Sequence, residues 1–442
     1  PGGEATARRA LELAELAEDT AMTVWSLSAL SVAVKTQGRY GEALSMSRRA
    51  VASALETADE RARLRHPYFF LGMALADCDL VDDARVAFER AIAECEALGS
   101  AWLLPDTLLQ AAQLRFATGE WDDAAVELEA GLRLAEDRGQ RVLIAQSKAC
   151  LAIMAAARGN LPAAKSALAG LETIVTDDDR PPYGAEMVAF AMATMAEGLG
   201  DASGAFAMLL RFWNYDVERK ICYYHRYLGP PLVRLALELE HSDIAAEVMR
   251  TVEKDAALAA VVPTVQATAL RCRGLRYRDP RPLLDAVALA RRGRRVLDHA
   301  GACEDAAAVL VAGQPEQAKA LLLEAQARYE ALDAVAWSAR TAAALRCLGV
   351  RQGARRPHRG TKTGWESLTT SERGVSELVA EGLTNREVAR RLYISAHTVN
   401  THLRHIFQKL GVTTRAELAT KIARGEQITH SSDVSAAGDG TP

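Results

Sequence analysis

The most distinctive side-chain chemistry of this 442-residue sequence lies between positions 388 and 416, where five basic residues occur without one carboxylate. A stretch of ordinary composition would hold about seven charged residues, roughly half of them acidic. Asn400, Thr401 and Arg404 within it can hydrogen-bond to the edges of nucleic-acid bases. Basic residues without acidic neighbours favour approach to a phosphate backbone. The pattern therefore predicts non-covalent binding of nucleic acid. The five basic residues are Arg390, Arg391, Arg404, Lys409 and Arg415.

Four short helices are predicted to position these residues. Three capping boxes, each a threonine followed three residues later by glutamate, start the first, second and fourth helices. Ser395 caps the third, and glycines follow the first, third and fourth. Only three residues, 393–395, separate the second helix from the third, and so tight a turn predicts a helix-turn-helix. The boxes are Thr369–Glu372, Thr384–Glu387 and Thr414–Glu417, and the glycines are Gly382, Gly411 and Gly425.

The third helix has a core-facing stripe, because its large apolar residues recur at spacings of four, three and four. They are Val399, Leu403, Ile406 and Leu410. The remaining polar residues are expected to point away from the core: Thr398, Asn400, Thr401, Arg404, His405 and Gln408. Two interpretations stay open here. The face binds DNA, or it is the solvated basic face of a module that binds a protein partner.

The run GLTNREVARRLYIS-x-x-TV-x-x-HL-x-x-IF-x-KLGV, positions 382–412, closely resembles the LuxR-type DNA-binding domain of bacterial transcription regulators. The resemblance implies contacts to base edges from Asn400, Thr401 and Arg404. It implies phosphate contacts from Thr384, Asn385, Thr398, His402 and Lys409. It also implies a dimer contact on the fourth helix, made by Ala416, Leu418, Ala419 and Ile422. The expected partners are double-stranded DNA with an inverted-repeat operator, a second copy of the chain and RNA polymerase.

The first 350 residues carry a repeated signal, a turn residue followed five positions later by alanine. The spacings are 41, 40, 40, 41, 41 and 72 residues, and the last gap fits two units with a degenerate turn near Asp279. Such a period indicates stacked helical pairs. We therefore expect an all-α chain whose solenoid resembles tetratricopeptide repeats. The turn residues are Gly38, Asp79, Gly119, Gly159, Gly200, His241 and Gly313.

Composition and charge suggest four segments. Residues 1–350 form the repeat array, which carries a net charge of −9, and residues 351–364 form a flexible basic linker. Residues 365–428 form the helix-turn-helix domain, and residues 429–442 a disordered tail. The net charge between positions 351 and 430 is +7, in keeping with nucleic-acid binding. The repeats together with this domain resemble the C-terminal half of the large ATP-binding LuxR regulators.

Six of the 24 aromatic residues fall within positions 212–227. One interpretation is a surface for an unknown inducer or protein ligand, because clustered aromatics beside His225 and Arg226 suit a binding site. The other is packing at an irregular repeat. The six are Phe212, Trp213, Tyr215, Tyr223, Tyr224 and Tyr227.

Other classes of protein are disfavoured. No apolar run is long enough to cross a membrane, and the seven scattered cysteines suit a reducing cytoplasm. The chain has no phosphate-binding GxxxxGK[ST] loop and no metal motif, so we expect no cofactor, no metal and no enzymatic activity. An ATP-binding domain would precede Pro1 in a full-length protein of the resembled kind. The sequence predicts a cytoplasmic, sequence-specific transcription regulator. The alternative is a repeat scaffold whose basic end docks a protein.

Overall fold

The computed structural model describes residues 2–100, 102–176, 181–182, 184–350 and 364–423. All regular secondary structure in these ranges is helical, which confirms the all-α prediction. Residues 1–354 and 355–442 form two compact units, here named the repeat unit and the C-terminal domain. No helix in the described ranges has both the length and the apolar character to span a bilayer. The predicted linker, apart from Gly364, and the predicted tail lie outside the described residues.

The described part of the repeat unit is a succession of helices that pack pairwise against their neighbours in the chain. This arrangement confirms the predicted solenoid of helical pairs. The helices are α1 Gly2–Leu16, α2 Thr20–Lys35, α3 Tyr40–Glu56, α4 Glu60–Arg63, α5 Pro67–Asp77, α6 Val81–Ala97, α7 Leu104–Thr118, α8 Trp121–Asp137, α9 Arg141–Ala157, α10 Leu161–Leu168, α11 Glu172–Thr176, α12 Ala185–Gly198, α13 Ala202–Arg219, α14 His225–Glu238, α15 Ser242–Leu258, α16 Pro263–Tyr277, α17 Pro280–Arg292, α18 Val296–Leu310, α19 Pro315–Ala331 and α20 Val335–Cys347.

The turn inside most helical pairs has a backbone conformation that explains the repeated sequence signal. The turn residue takes a positive φ, which reverses the chain between the paired helices and which glycine adopts at least cost. Gly313, the last predicted turn residue, does not take a positive φ. In the sixth repeat the structure gives φ 65° to Glu240 and full burial to Ala245. The predicted His241 and Ala246 are thus one residue out of register. Arg278, with φ 51°, marks the degenerate turn expected near Asp279. The other turn residues with positive φ are Gly38, Asp79, Gly119, Gly159 and Gly200.

The repeat unit coils back on itself through a buried carboxylate, Asp77, at the end of α5. Its Oδ1 accepts a hydrogen bond of 2.9 Å from Nη2 of Arg226, which lies 149 positions later. Its Oδ2 lies 3.0 Å from Nζ of Lys35. All three side chains are at most 6% exposed. The carboxylate therefore joins the early repeats to α14 inside the protein, where unpaired charges are strongly unfavourable.

A second carboxylate, Asp79, makes the neighbouring closure contacts. Its Oδ1 lies 2.9 Å from Nε of Arg295, and its Oδ2 accepts the backbone N–H of Thr264 at 2.8 Å. Arg295 also donates to the carbonyl of Ala76 at the end of α5. Further along, α7 packs against α18 and α9 against α20. Early helices of the solenoid thus pack against helices that come much later in the chain.

A buried pair of carboxyl groups lies between α12 and α13. Glu186 is 3% exposed and Asp216 is fully buried, and neither carboxyl oxygen of Asp216 has a hydrogen-bond partner among the described residues. Burial raises the pKa of both groups, and the proximity of the other carboxylate raises that of Asp216 further. The folded protein consequently holds a proton at this pair at a pH where the unfolded chain has lost it.

This pair predicts a pH dependence of stability. The folded state binds more protons than the unfolded state above the ordinary carboxyl pKa, so the free energy of unfolding falls as the pH rises. For one proton the slope approaches about 1.4 kcal/mol per pH unit. Asp216→Asn should flatten the dependence between pH 5 and 8, measured by urea denaturation with tryptophan fluorescence. Asp243→Asn, an exposed change on α15, should leave it unchanged. Equal slopes for Asp216→Asn and the wild type would contradict the shared proton.

Candidate nucleic-acid interface

The C-terminal domain contains the four predicted helices around a small core. They are α21 Thr370–Ala380, α22 Asn385–Leu392, α23 Ala396–Leu410 and α24 Arg415–Ala423. Val375, Val388, Val399 and Ile406 have no exposed surface and form the centre of the core. The predicted apolar stripe of α23 faces this centre. Gly425, the predicted end of the last helix, lies outside the described residues.

Local side-chain hydrogen bonds start each helix where the sequence predicted. The first two capping boxes are complete, with threonine and glutamate exchanging hydrogen bonds at Thr369 and Thr384. Ser395 Oγ accepts the backbone N–H of Thr398 at 2.9 Å. The third box differs slightly, because Glu417 accepts the backbone N–H of Thr413 rather than that of Thr414. These caps place α22 and α23 at fixed ends of a short turn.

That turn, residues 393–395, confirms the helix-turn-helix. Tyr393 takes the left-handed φ of 54° and ends α22, and the N–H of Ile394 donates to the carbonyl of Ala389 at 3.0 Å. Val388 and Ala389 are fully buried where the two helices meet. The small side chain of Ala389 permits the close crossing that this motif requires. The crossing leaves one side of α23 outside the core.

The exposed side of α23 carries hydrogen-bonding groups at spacings of three, four and four residues. Its exposed members are His397, Asn400, Arg404 and Gln408, and we name them the α23 face. The spacing places them on one side of a helix, opposite the buried stripe. Asn400, Arg404 and Gln408 were predicted to point away from the core, and the first two to contact bases, but His397 was not predicted there. The spacing of His397 from Asn400, complementary to that of the apolar stripe, is the signal that was missed.

Thr398 and Thr401 do not lie on the α23 face, contrary to the sequence analysis. Each is 1% exposed. The hydroxyl of Thr398 lies 2.8 Å from that of Ser395, and the hydroxyl of Thr401 donates to the carbonyl of His397 at 3.1 Å. Because these bonds satisfy the hydroxyls locally, both side chains can be buried at little cost. A base contact from Thr401 would need its side chain to leave this position.

Three further predicted contact residues are engaged inside the domain. His402 is 3% exposed. The side-chain oxygen of Asn385 accepts a hydrogen bond of 2.5 Å from Arg415, which also donates to the carbonyl of Leu383. Leu418 is fully buried in the core, so it is unavailable to a second copy while the domain stays folded. Ala416, Ala419 and Ile422 are exposed or half-buried on α24.

Lys409 has an acidic partner at the far end of α23. Its Nζ lies 2.7 and 2.9 Å from the two carboxylate oxygens of Glu372, which is 2% exposed. Glu372 also completes the first capping box. The predicted phosphate contact of Lys409 would have to compete with this buried carboxylate. The geometry favours a structural role for the lysine.

We expect Lys409→Ala to destabilise the C-terminal domain by about 1–3 kcal/mol, because a buried carboxylate loses its charged donor. The cost should stay below the roughly 3–5 kcal/mol of a fully buried pair, since the lysine side chain is 33% exposed. Amide hydrogen exchange of α21 and α23 in the full chain measures the loss. Lys421→Ala, whose lysine donates to a backbone carbonyl, should cost less. A reduced salt dependence of DNA binding without destabilisation would instead support the phosphate contact.

The scaffold helix α22 adds positive charge beside α23. Arg386, Arg390 and Arg391 are exposed on it. Thr384 is exposed at the start of α22. The carboxylate of Glu387, the other member of the capping box, accepts the backbone N–H of Thr384 at 2.7 Å. The pKa of Glu387 is lowered by that hydrogen bond. The surface next to the α23 face is thus predominantly basic.

In the repeat unit the six clustered aromatics separate into three groups. Phe212 and Trp213 are buried in the core, as the packing interpretation predicts. Tyr223, Tyr224 and Tyr227 line a cavity of about 610 Å³ that is partly open to solvent. Tyr215 is half-buried beneath the guanidinium of Arg219, 3.9 Å from its ring centre. The packing interpretation therefore holds for Phe212 and Trp213, while the ligand-surface interpretation stays a prediction for the three tyrosines of the cavity.

Two clusters bring histidine, cysteine and carboxylate together within 4.8 Å: Cys222, His225 and Asp255, and His299, Cys303 and Glu324. The sequence did not reveal them, because Asp255 and Glu324 lie on other helices, far in sequence from the cysteine and histidine that they meet. In the first, Nδ1 of His225 lies 2.6 Å from Asp255 and is already hydrogen-bonded. Burial raises the pKa of both cysteines, which disfavours the thiolate that binds metals. Neither cluster supports a metal assignment.

Comparison with known proteins identifies the four-helix domain. A family model described as bacterial regulatory proteins, luxR family, matches residues 366–422. These residues include all four helices, the acid-free stretch and the α23 face. The C-terminal domain is a helix-turn-helix domain of the luxR family.

Several curated relatives share this luxR-family domain. A putative HTH-type transcriptional regulator of Mycobacterium bovis is 51% identical over 61 residues, which are 14% of this chain and 7% of that protein. The monoamine regulon transcriptional regulator of Klebsiella aerogenes is 48% identical over 54 residues, 12% of this chain and 24% of that protein. The nitrate/nitrite response regulator protein NarL of Escherichia coli is 39% identical over 59 residues, which are 13% of this chain and 27% of that protein. The chain therefore spans less than a third of the length of these relatives.

Proposed function

We propose that this chain is a sequence-specific DNA-binding transcription regulator. The observation that carries the proposal is the α23 face of the luxR-family domain, which presents Asn400 and Arg404 on the side opposite the core. The relatives that share this domain are named as transcriptional regulators, which supports the same function.

The chemistry of the α23 face suits the major groove of DNA. An arginine can pair with both acceptors of guanine, and an asparagine with adenine. The exposed arginines of α22 and the N-terminus of that helix at Thr384 would hold the phosphate backbone. Because DNA and RNA polymerase occupy the cytoplasm of bacteria, the proposal includes that location and a contact with the polymerase.

One helix-turn-helix domain reads a short half-site, so we propose that two copies bind an inverted repeat. The surface of α24 at Ala416, Ala419 and Ile422 would then form the contact between copies. The repeat unit would act as the sensor or oligomerisation region that controls whether two domains meet. Its stacked helices support that role, because such arrays commonly serve as binding surfaces.

Selection from random duplex DNA by the full chain tests the proposal. We expect enrichment of a short inverted repeat that binds at least about a thousandfold more tightly than a scrambled duplex at physiological salt. Fluorescence anisotropy at several salt concentrations should show affinity falling steeply with salt. Enrichment of no sequence, with equal binding of selected and scrambled duplexes, would overturn the proposal and favour a repeat scaffold that docks a protein.

A further inference from the structure

The cavity inside the repeat unit has the size and the lining of a small-molecule site. Its volume of about 610 Å³ falls within the range of about 300–1,000 Å³ typical of ligand pockets. It lies where the solenoid coils back, between residues of α7 and α9 on one side and residues of α18 to α20 on the other. Its walls therefore come from repeats far apart in sequence.

The walls are mainly apolar and aromatic. Ile153, Met187 and Phe190 line one side, and Leu297, Leu322 and Trp337 line another. Aromatic and aliphatic walls favour a ligand with a sizeable apolar body, because burial of apolar surface drives its binding. Such walls alone would give no preference for charge.

Polar specificity comes from arginines that reach the same cavity. Three of the lining arginines are each paired with a lining carboxylate: Arg234 with Glu197, Arg271 with Asp305 and Arg340 with Glu304. These pairs engage three of the four lining carboxylates, so only Asp298 lies outside such a pair. The remaining arginines, Arg226 and Arg295, make the closure contacts.

Arg226 differs from the other lining arginines because part of its guanidinium lacks an acceptor. Its Nη2 donates to Asp77, but Nε and Nη1 are buried with no hydrogen-bond partner among the described residues. Asp77 does not satisfy them, because its Oδ1 accepts Nη2 of Arg226 and its Oδ2 accepts Nζ of Lys35. The side chain is only 6% exposed. Buried donors without a partner are rare in native proteins, so these N–H groups need an acceptor, either a water molecule or an atom of a ligand.

Apart from Asp77, which is shared with Lys35, the residues around Arg226 offer it no negative charge. Its guanidinium carbon lies 5.1 Å from the ring centre of Tyr223 and 5.0 Å from that of Tyr227. Burial raises the pKa of Tyr223, so its phenol stays neutral. Asp255, across a small neighbouring cavity, is hydrogen-bonded to His225. The guanidinium thus lies between aromatic rings at the wall of a largely apolar cavity.

We propose that this cavity binds an organic anion, a molecule with an aromatic or branched apolar body and one carboxylate or sulfonate group received by Arg226. The apolar walls hold the body, and the guanidinium supplies charge-assisted hydrogen bonds to the acidic group. This site would be the ligand site for the sensing role that we propose for the repeat unit. Only its biological purpose rests on that proposed function. Binding itself is measured without DNA, so failure of the ligand site and failure of DNA recognition are distinguishable.

A matched pair of probes tests the preference for an anion. 1-Anilinonaphthalene-8-sulfonate has an aromatic body with one sulfonate, and N-phenyl-1-naphthylamine has the same body without it. Equilibrium dialysis with the full chain should show one sulfonate probe bound per chain, at least about tenfold more tightly than the neutral probe. Equal affinities, or several weak sites per chain, would overturn the proposal.

Two substitutions locate the site. Ala308 on α18 is exposed and lines the cavity, so Ala308→Trp fills it and should reduce affinity for the sulfonate probe at least about tenfold. Ala327→Trp makes the same change at an exposed position of α19 away from the cavity and should leave binding unchanged. Unchanged binding to the Ala308 variant would show that the probe lies elsewhere and would overturn the proposal.

A third substitution tests the role of Arg226. Arg226→Gln should lower affinity for the sulfonate probe to about that of the neutral probe, while the neutral probe binds as before. A variant that kept the full preference for the sulfonate would contradict the role of Arg226. Should this variant fail to fold, the comparison of the two probes on the wild-type chain still decides the anion preference.

Discussion

Replacing Asp77 with alanine is expected to lower the free energy of unfolding of the repeat unit by about 3–5 kcal/mol or more. The substitution leaves Lys35 and Arg226 buried without their shared carboxylate, and removal of one member of a buried ion pair typically costs that much. The same change removes a contact between repeats 149 positions apart. Urea denaturation followed by tryptophan fluorescence measures the loss.

An exposed ion pair provides the matched control for Asp77. Asp82 lies 3.4 Å from Arg294, and both side chains are at least 60% exposed. Asp82→Ala should therefore cost at most about 1 kcal/mol. A similar, small cost for both variants would mean that the early repeats and α14 are not held together by the buried carboxylate.

The second large effect concerns DNA. Arg404→Ala and Asn400→Ala should each reduce the preference for the selected operator over a scrambled duplex by about 1–3 kcal/mol, because each removes a side chain of the α23 face that can read a base edge. Competition binding of both duplexes at one salt concentration measures the preference.

Arg373→Ala separates this effect from the general loss of positive charge. Arg373 is an exposed arginine of α21, outside the α23 face. Its removal should weaken binding to both duplexes alike, if at all, and leave the preference intact. Should Arg404→Ala weaken binding to both duplexes equally, the residue would contact phosphate rather than a base.

The four helices of the luxR-family domain could be predicted closely, because their signals are local. The hydrogen bonds of a capping box, or of a glycine that ends a helix, join residues within about four positions of one another. Thr384 and Ser395 accordingly cap the helices that the sequence assigned to them. The same locality made the turn at residues 393–395 visible before any tertiary contact was known.

The burial of Thr398 and Thr401 shows where this reasoning stops. The polarity of the residues of the third helix predicts that both threonines lie outside the core. A hydroxyl that is hydrogen-bonded within its own helix or to its cap costs little to bury, so polarity alone does not decide the side. The α23 face is consequently narrower than predicted.

Contacts between distant residues could not be predicted from the sequence for a different reason. Lys409 and Glu372 are 37 positions apart, and nothing local distinguishes that lysine from one that binds phosphate. The coiling back of the repeat unit depends likewise on pairs separated by up to 219 positions. The period of the repeats predicts the stacking of neighbours but does not predict which later turn of the solenoid an early repeat will meet.

The coiling back at Asp77 and Asp79 has a consequence for folding. In an open solenoid each repeat contacts only its neighbours, and folding can begin anywhere and spread along the chain. Here the contacts of the early repeats are complete only when α14 to α18 have formed, which raises the average sequence separation of contacts and slows folding. An array of this kind should unfold as one cooperative block rather than fray repeat by repeat, and deletion of a single internal repeat should disturb helices on both sides of the closure.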